Sequence, residues 1–358
     1  MTEPAPPAGG VFFMLSPPAC IREKAGPEAA FLTENAKKTN NPTQKSFQYS
    51  ENMIYYHFKG EGFSSDYFRP ESKEKKPMDK IRRNERMSAM MKLLSSAPNR
   101  IFTLSGFCEM FGSAKSTMSE DVELLRGVCE AFDLGRVETV TGAAGGVRYI
   151  PAVSRKKARD TIRELCEKLS GTERVLPGGF LYYSDILSTP DIVNRMGEII
   201  ASEYAACEPD FVLTMETKGI PVAFATANAL GIPLVIARHS SKVYEGSAVN
   251  ISYVSGSGSI ETMSLSRRAV KENQRALIVD DFLKGGGTAK GMVELMREFN
   301  VTVAGMAFVM ATVTPEKKRI SGEKSLMTLS VTDGEPASAI VRPADWLMED
   351  ARNLQNRG

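Results

Sequence analysis

Residues 276–288 carry the sequence ALIVDDFLKGGGT, and this stretch decides the fold class of the chain. A short apolar run that favours a β-strand ends in two carboxylates, passes through a glycine-rich loop and enters an amphipathic helical pattern. In an α/β sheet this order places the loop at the carboxyl end of a strand, where ligands bind. The stretch therefore predicts a ligand site in an α/β domain.

The chemistry of the loop suits a sugar phosphate. Three consecutive glycines let successive backbone N–H groups point inward, and together with the helix N-terminus they form a cradle for a phosphate. The carboxylates accept hydrogen bonds and repel phosphate, so they suit a neighbouring hydroxyl group or a metal ion. The alternative is a tight structural turn with two solvated carboxylates, but such a turn needs neither the acidic pair nor three glycines.

This run resembles, in register, the phosphoribosyl-pyrophosphate (PRPP) signature of type I phosphoribosyltransferases. The resemblance implies that the acidic pair holds the ribose 2′- and 3′-hydroxyls, and that the loop holds the 5′-phosphate. It also implies that a second loop, at 217–219, binds the pyrophosphate, and that residues 255–259 belong to the loop that closes over PRPP. For the hood over a base we expect residues 176–187, whose aromatic rings either stack on a purine or simply pack. The candidate PRPP and nucleotide residues are Asp280, Asp281, Phe282, Leu283, Lys284, Gly285, Gly286, Gly287, Thr288, Thr217, Lys218, Gly219 and Phe180.

Composition excludes several classes of protein. The 358 residues leave room for two or three domains, and 45 basic against 43 acidic side chains give a net charge of only +2, so any nucleic-acid surface must be local. The two histidines, far apart in sequence, argue against a His-rich metal site and leave little support for a Ser-His-Asp triad. We predict no catalytic residue, no protein-bound metal and no redox cofactor. Five cysteines without a CxxC pair, no run of membrane-spanning length and no secretory signal together indicate the cytoplasm.

Three segments divide the chain. Residues 1–77 are rich in proline and lack sustained periodicity, so we expect them to be mostly disordered. Because the motif-bearing sequence begins only at Asp79, one hypothesis is that Met78 is the physiological start. Residues 78–151 are expected to form a DNA-binding domain, and residues 152–358 an effector domain.

The second segment has the element order of a winged helix-turn-helix. Helices are predicted over 79–95 and 103–111, and a third runs to Phe132 from a cap at Ser113 or Ser116, with Phe132 facing inward. A β-hairpin with a glycine-rich tip follows at 135–150. The basic first helix, the start of the third helix and the wing favour double-stranded DNA, although each charge alone also fits a solvated surface. The candidate DNA-binding residues are Arg82, Arg83, Arg86, Lys115, Ser116, Thr117 and Arg148.

In the third segment strands and helices alternate, which predicts a doubly wound parallel sheet, the type I phosphoribosyltransferase fold. Strands are expected at 211–215, 232–237, 276–280 and 303–310, with a helix from Pro221 to Leu230. Residues 334–358, including Trp346, carry no signal that we can interpret.

A winged helix followed by this domain is a narrow combination. From residue 79 to about 333 the chain is similar to the purine operon repressors of Gram-positive bacteria, through the motifs at 113–116, 142–147, 176–179, 217–221 and 253–257. Membership implies a homodimer that binds operator DNA, senses PRPP with or without Mg²⁺, and also binds competing purine nucleotides such as guanosine tetraphosphate. No membrane partner is expected.

The alternative function is a catalytically active purine phosphoribosyltransferase with an accessory helical domain. Enzymes of this fold usually carry a small residue where this chain has Lys284, and an aliphatic residue in place of Phe282. These two departures favour ligand sensing over turnover, although transfer to PRPP demands mostly positioning and leaving-group stabilisation. The winged helix in the sequence distinguishes the two functions.

Overall fold

A computed structural model of the protein describes residues 81–142, 145–241, 246–256, 258–332 and 337–349. The leader expected at 1–77, the start at Met78 and the wing-tip residues 143–144 lie outside this part of the chain. Within it, no helix is both long and apolar enough to cross a bilayer.

The N-terminal headpiece has three helices followed by a two-stranded antiparallel sheet, which confirms the predicted winged-helix order. Thr103 caps the second helix, because its Oγ1 accepts a hydrogen bond from the Gly106 N–H at 3.1 Å. Gly112 ends that helix in the left-handed conformation, with φ of +59°. The elements are α1 (Arg83–Ser96), α2 (Leu104–Phe111), α3 (Lys115–Ala131), β1 (Arg136–Val140) and β2 (Gly146–Ile150).

A small apolar core joins these headpiece elements, and one expected member is absent from it. Phe132 is 71% exposed because α3 ends at Ala131, one residue before it, so the inward orientation predicted for Phe132 is wrong. The expected serine caps are also wrong, since Ala114 occupies the N-cap of α3. The fully or nearly fully buried core residues are Met90, Leu94, Phe107, Met118, Val122, Leu125, Cys129, Val137 and Val147.

The effector domain is built on a six-stranded sheet in the order β12-β11-β10-β9-β5-β6. All neighbouring strands pair in parallel except β12, which is antiparallel to β11. This confirms the predicted doubly wound α/β class. The elements are α4 (Arg155–Leu169), β3 (Val175–Leu176), β4 (Phe180–Leu181), α5 (Ser184–Leu187), α6 (Pro190–Tyr204), β5 (Phe211–Met215), α7 (Ile220–Leu230), β6 (Leu234–Ala237), β7 (Ala248–Val254), β8 (Ile260–Ser266), β9 (Arg275–Leu283), α8 (Gly287–Glu298), β10 (Thr302–Thr312), β11 (Lys324–Val331), β12 (Ala339–Pro343) and α9 (Asp345–Met348).

The strand order puts a crevice between β5 and β9. From β5 the chain continues to β6, the neighbour of β5 on one side within the sheet. It then crosses to β9, the neighbour of β5 on the opposite side. Leu213 of β5 pairs with Ile278 of β9, so the chain leaves β5 beside Asp280. Ligands of open α/β sheets bind where the connections diverge in this way, outside the carboxyl ends of the strands. The loop at 217–219, after β5, and the acidic pair with its glycine-rich loop, at the end of β9, therefore meet at this crevice.

The last strands and helix were not predicted. β11 and β12 extend the sheet at one edge, and α9 follows them. Trp346 in α9 packs partly buried against the core, and its indole Nε1–H donates a 2.6 Å hydrogen bond to the Ser325 carbonyl. The C-terminal segment thus adds the edge strand β12 and packs Trp346 against the start of β11.

The headpiece contacts the end of α7. The Asn99 side-chain amide donates a 2.7 Å hydrogen bond to the Ala229 carbonyl, while its backbone N–H donates to Tyr149 of β2 at 2.8 Å. Gly231 ends α7 in the left-handed conformation, and a Cβ there would lie 2.5 Å from the Pro98 carbonyl oxygen. The loop between α1 and α2 therefore rests directly on the carboxyl end of α7.

Candidate functional site

Two adjacent carboxylates lie on β9 inside the crevice. Asp280 is 7% exposed and Asp281 is 9% exposed, and the Asp281 N–H donates a 3.0 Å hydrogen bond to Asp280 Oδ1. Burial, followed by the neighbouring Asp281 carboxylate, raises the pKa of Asp280 well above its ordinary value. The pair therefore presents closely spaced carboxyl oxygens in a buried setting, where a hydrogen bond to them is stronger than it would be in water.

The loop after β5 packs directly against these carboxylates. A Cβ at Gly219 would overlap Asp280 Oδ1 and would lie 2.6 Å from Thr214 Oγ1. Gly219 is also the N-cap of α7, whose first turn contains Pro221 as the sequence predicted. Glycine is thus required here for close approach. Lys218 lines the cavity beside this contact, and Thr217 is exposed next to it.

The loop after β9 turns into α8 through its glycines. Gly286 has φ of +78° at the N-cap of α8, a conformation that L-residues rarely adopt. A Cβ at Gly287 would overlap the Val254 carbonyl oxygen, so the end of β7 also contacts this turn. Arg319 holds both segments: its N–H donates to Gly285 at 3.0 Å and its guanidinium donates to Val254 at 3.1 Å.

A cavity of about 580 Å³ is lined by residues of four segments. These are the loop after β5, the end of β9 with the loop that follows it, the predicted hood at 176–187, and the tip between β7 and β8. It contains four of the predicted ligand residues, Phe180, Lys218, Phe282 and Lys284. Gly256, from the predicted closing loop at 255–259, also lines the cavity. The other lining residues fall within the predicted hood, residues 176–187, of which only Phe180 was named as a ligand candidate. The full lining is Leu176, Phe180, Leu181, Tyr182, Tyr183, Ser184, Lys218, Gly256, Phe282 and Lys284.

Tyr183 ties the hood to the carboxylates. Its hydroxyl donates a 2.5 Å hydrogen bond to Asp281 Oδ2, and its ring stacks on Phe282 with centroids 6.0 Å apart. The Lys218 ammonium lies 5.0 Å from the centre of the same ring. Burial and then the Asp281 charge raise the pKa of Tyr183, so the phenol keeps its proton and acts as the donor. Sequence reasoning named the aromatic segment but not this contact.

The start of α3 presents small polar groups at the headpiece surface. Lys115 and Ser116 are exposed in the first turn of α3, and Thr117 is half-buried beside them. Arg82 is exposed at the N-cap of α1. A helix N-terminus with hydroxyl and ammonium donors can contact both DNA phosphates and base edges.

Comparison with known proteins places these two sites in one family. The family described as bacterial purine repressor, N-terminal, matches residues 82–151, and the phosphoribosyl transferase domain family matches residues 182–339. A probable purine biosynthesis transcriptional regulator of Streptococcus pneumoniae is 43% identical over 273 residues, covering 76% of this chain and 99% of that protein. The chain belongs to the family of purine biosynthesis transcriptional regulators.

Some members of the purine regulator family are named repressors and others activators. The purine biosynthesis transcriptional repressor of Bacillus subtilis is 40% identical over 280 residues, covering 78% of this chain and 98% of that protein. A purine biosynthesis transcriptional activator of Lactococcus lactis is 39% identical over 254 residues, covering 71% of this chain and 94% of that protein. The family thus includes regulators named for opposite effects on transcription.

One predicted DNA contact of this regulator must be corrected. Arg86 is only 6% exposed, and its Nε–H donates a 2.5 Å hydrogen bond to Asp121 Oδ2. Asp121 is fully buried in α3 and needs a compensating charge, so the Arg86 guanidinium is occupied inside the headpiece. Arg83 also reaches Asp121, at 2.9 Å, but stays half-exposed. Arg148 pairs with Glu138 across the wing at 2.9 Å. For Arg83 and Arg148, DNA contact stays a prediction.

Proposed function

We propose that this purine regulator senses PRPP in the crevice and that PRPP occupancy sets the affinity of its headpiece for operator DNA. The observation that carries the proposal is a cavity lined by Lys218 and Lys284. The Asp280–Asp281 pair lies directly beside it, joined to the lining residue Tyr183 by a hydrogen bond and packed against Gly219. A ribose phosphate needs hydroxyl acceptors and phosphate donors side by side, and this site supplies both.

Each part of PRPP has a partner of matching chemistry in the proposal. The ribose hydroxyls donate to Asp280 and Asp281, the 5′-phosphate takes the amides of 284–288, and the pyrophosphate takes the loop at 217–219. Mg²⁺ enters with the pyrophosphate, since this ion commonly uses one or two carboxylates plus phosphate oxygens. No cluster of three or more His, Cys, Asp or Glu side chains that could hold a metal ion occurs in the described part of the chain.

Purine nucleotides are proposed as competitors for the same cavity. Phe180 and Tyr182 expose aromatic surface on the hood, where a purine base can stack, while phosphate groups reach Lys218. Guanosine tetraphosphate combines a purine with several phosphates and therefore fits this chemistry. Displacement of bound PRPP by increasing guanosine tetraphosphate would test the competition.

Coupling between pocket and headpiece follows from linkage. If PRPP binds better to one arrangement of the headpiece, DNA and PRPP change each other's affinity by the same factor.

We propose that the regulator represses purine genes, following the name of the Bacillus relative, and that it acts as a cytoplasmic homodimer. A dimer would place two α3 helices on successive turns of the major groove. Sedimentation of the protein with and without operator DNA tests the dimer.

We infer that the phosphoribosyltransferase fold serves sensing here, with the names of the relatives and the bulky Phe282 in support. The test mixes the protein with PRPP, Mg²⁺ and each purine base, and follows pyrophosphate. Sustained release over many turnovers would establish the alternative, an active purine phosphoribosyltransferase.

Removal of one carboxylate tests the PRPP site. In Asp281→Ala we expect the PRPP effect on DNA binding to disappear, because the ribose loses a charged acceptor, while affinity for DNA alone is retained. Isothermal calorimetry with Mg²⁺ and PRPP measures the lost binding directly. Lys156→Ala, an exposed lysine on α4, serves as the control and should behave like the original protein. A full PRPP response in Asp281→Ala would contradict the site assignment.

Salt dependence tests the DNA surface. Arg82→Ala and Lys115→Ala should each weaken operator binding and reduce the slope of log affinity against log salt by about 0.9 per lost phosphate contact. The slope is obtained from fluorescence anisotropy titrations at several salt concentrations. Lys156→Ala again controls for a change in net charge alone. An unchanged slope would remove that residue from the interface.

A further inference from the structure

We propose that the Tyr183 hydroxyl occupies the sugar-hydroxyl subsite of the free pocket, so that a ribose phosphate must displace it in order to bind. Tyr183 is thereby an internal competitor that lowers the affinity of the sensor. The inference rests on the proposed function, in which Asp280 and Asp281 accept the ribose hydroxyls.

The phenol and a ribose hydroxyl compete through the same chemistry. Both are neutral O–H donors, and the Tyr183 hydroxyl already donates to Asp281 Oδ2 at 2.5 Å. That carboxylate is buried, so a strong donor that reaches it satisfies a group that would otherwise be costly. A sugar hydroxyl that seeks the same oxygen must therefore replace an existing charge-assisted hydrogen bond.

The ring of Tyr183 is held by residues that also belong to the pocket. Phe282 stacks against one side of it, and the Lys218 ammonium lies 5.0 Å from its centre. A pyrophosphate that pairs with Lys218 competes with the ring for the same ammonium. Ligand phosphates thus weaken one support of Tyr183 while the ribose takes its acceptor.

The neighbouring aromatic residues of the hood lack this role. Phe180 is 68% exposed and Tyr182 is 44% exposed, whereas Tyr183 is 7% exposed and points into the crevice. Of the three rings, Tyr183 is the one whose hydroxyl is hydrogen-bonded to the acidic pair. Its position explains why a tyrosine, and not merely an aromatic ring, matters at this point.

Tyr183→Phe separates the hydroxyl from the ring. The variant keeps the ring contacts with Phe282 and Lys218 but removes the competing donor. We expect its affinity for PRPP, and for ribose 5-phosphate, to rise about tenfold, the scale of one hydrogen bond to a charged group. Affinity for pyrophosphate, which carries no sugar hydroxyl, should stay unchanged. Calorimetry with the three compounds gives all the values.

Tyr204→Phe is the matched control. Tyr204, at the end of α6, is equally buried, but its hydroxyl donates to the Met306 carbonyl of β10 at 2.7 Å, away from the pocket. Its loss should leave the affinity for all three compounds unchanged, even if the protein becomes less stable. The PRPP concentration that gives half the effect on DNA binding should fall about tenfold in Tyr183→Phe alone.

Three outcomes would overturn the inference. Unchanged or weaker PRPP binding by Tyr183→Phe would show that the hydroxyl is a spectator or itself contacts the ligand. An equal gain for pyrophosphate would indicate general loosening of the pocket. Absence of PRPP binding by the original protein would refute the proposed function and the inference together, whereas the first two outcomes leave the proposed function standing.

Discussion

Gly219→Ala is expected to abolish PRPP binding, with a loss of affinity of at least about 100-fold, equivalent to about 2.7 kcal/mol. The added methyl group would overlap Asp280 Oδ1 and press on Thr214 Oγ1, both of which are fixed within the sheet. The loop at 217–219 must therefore move outward or the carboxylate must turn away. Either change separates the proposed pyrophosphate donors from the ribose acceptors. We also expect the strain to destabilise the effector domain by about 1–3 kcal/mol.

Calorimetry with PRPP and Mg²⁺ measures the loss, and denaturant unfolding measures the stability. Gly127→Ala is the control, because a Cβ at this position on α3 meets no atom within 4 Å. That variant should bind PRPP normally and gain about 0.5–1 kcal/mol of helix stability. Headpiece binding to DNA without PRPP should survive in Gly219→Ala. Ordinary PRPP affinity in Gly219→Ala would contradict the close approach of loop and carboxylate.

Asp121→Ala is expected to unfold the headpiece or nearly so, at a cost of about 3–5 kcal/mol. The substitution leaves the buried Arg86 guanidinium without its carboxylate, and Arg83 loses the same partner. DNA binding should disappear, whereas PRPP binding by the effector domain should persist. Far-ultraviolet circular dichroism during denaturant unfolding reports the helices, and anisotropy reports DNA binding.

Glu120→Ala provides a neighbouring acidic control. Glu120 is exposed and lies 3.6 Å from the Arg83 guanidinium, so its removal should cost at most about 1 kcal/mol. Replacing both partners, in Arg86→Met with Asp121→Leu, should recover most of the stability because no unpaired charge stays buried. A stability loss below 1 kcal/mol in Asp121→Ala alone would mean that Arg86 finds other partners.

Much of the ligand site could be predicted because its residues are adjacent in sequence. The strand, the acidic pair and the glycine loop form one local unit, and its place at a carboxyl strand end follows from the α/β pattern. The contact between Gly219 and Asp280 could not be predicted, since it depends on β5 lying next to β9. The same holds for Tyr183, which reaches Asp281 across 98 residues of chain. Non-local packing decides such contacts.

The headpiece errors have local physical causes. A count of the basic residues in the first helix includes Arg86 among the surface charges, although Arg86 shares a helix face with Met90 and Leu94 at spacings of four residues. That periodicity is the signal that places its side chain in the core. The inward orientation predicted for Phe132 extends the same kind of pattern one residue beyond the end of α3. The pairing of the late strand β12 with β11 had no comparable local signature.

The helix α7 reaches from the acidic pair to the headpiece. α7 spans 11 residues, or about 16 Å, and begins immediately after Gly219 beside the acidic pair. At its far end Ala229 and Gly231 support Pro98 and Asn99 of the headpiece. Since a helix is stiff along its axis, its two ends move together. A ligand that displaces the amino end of α7 would therefore also displace the support under the loop between α1 and α2.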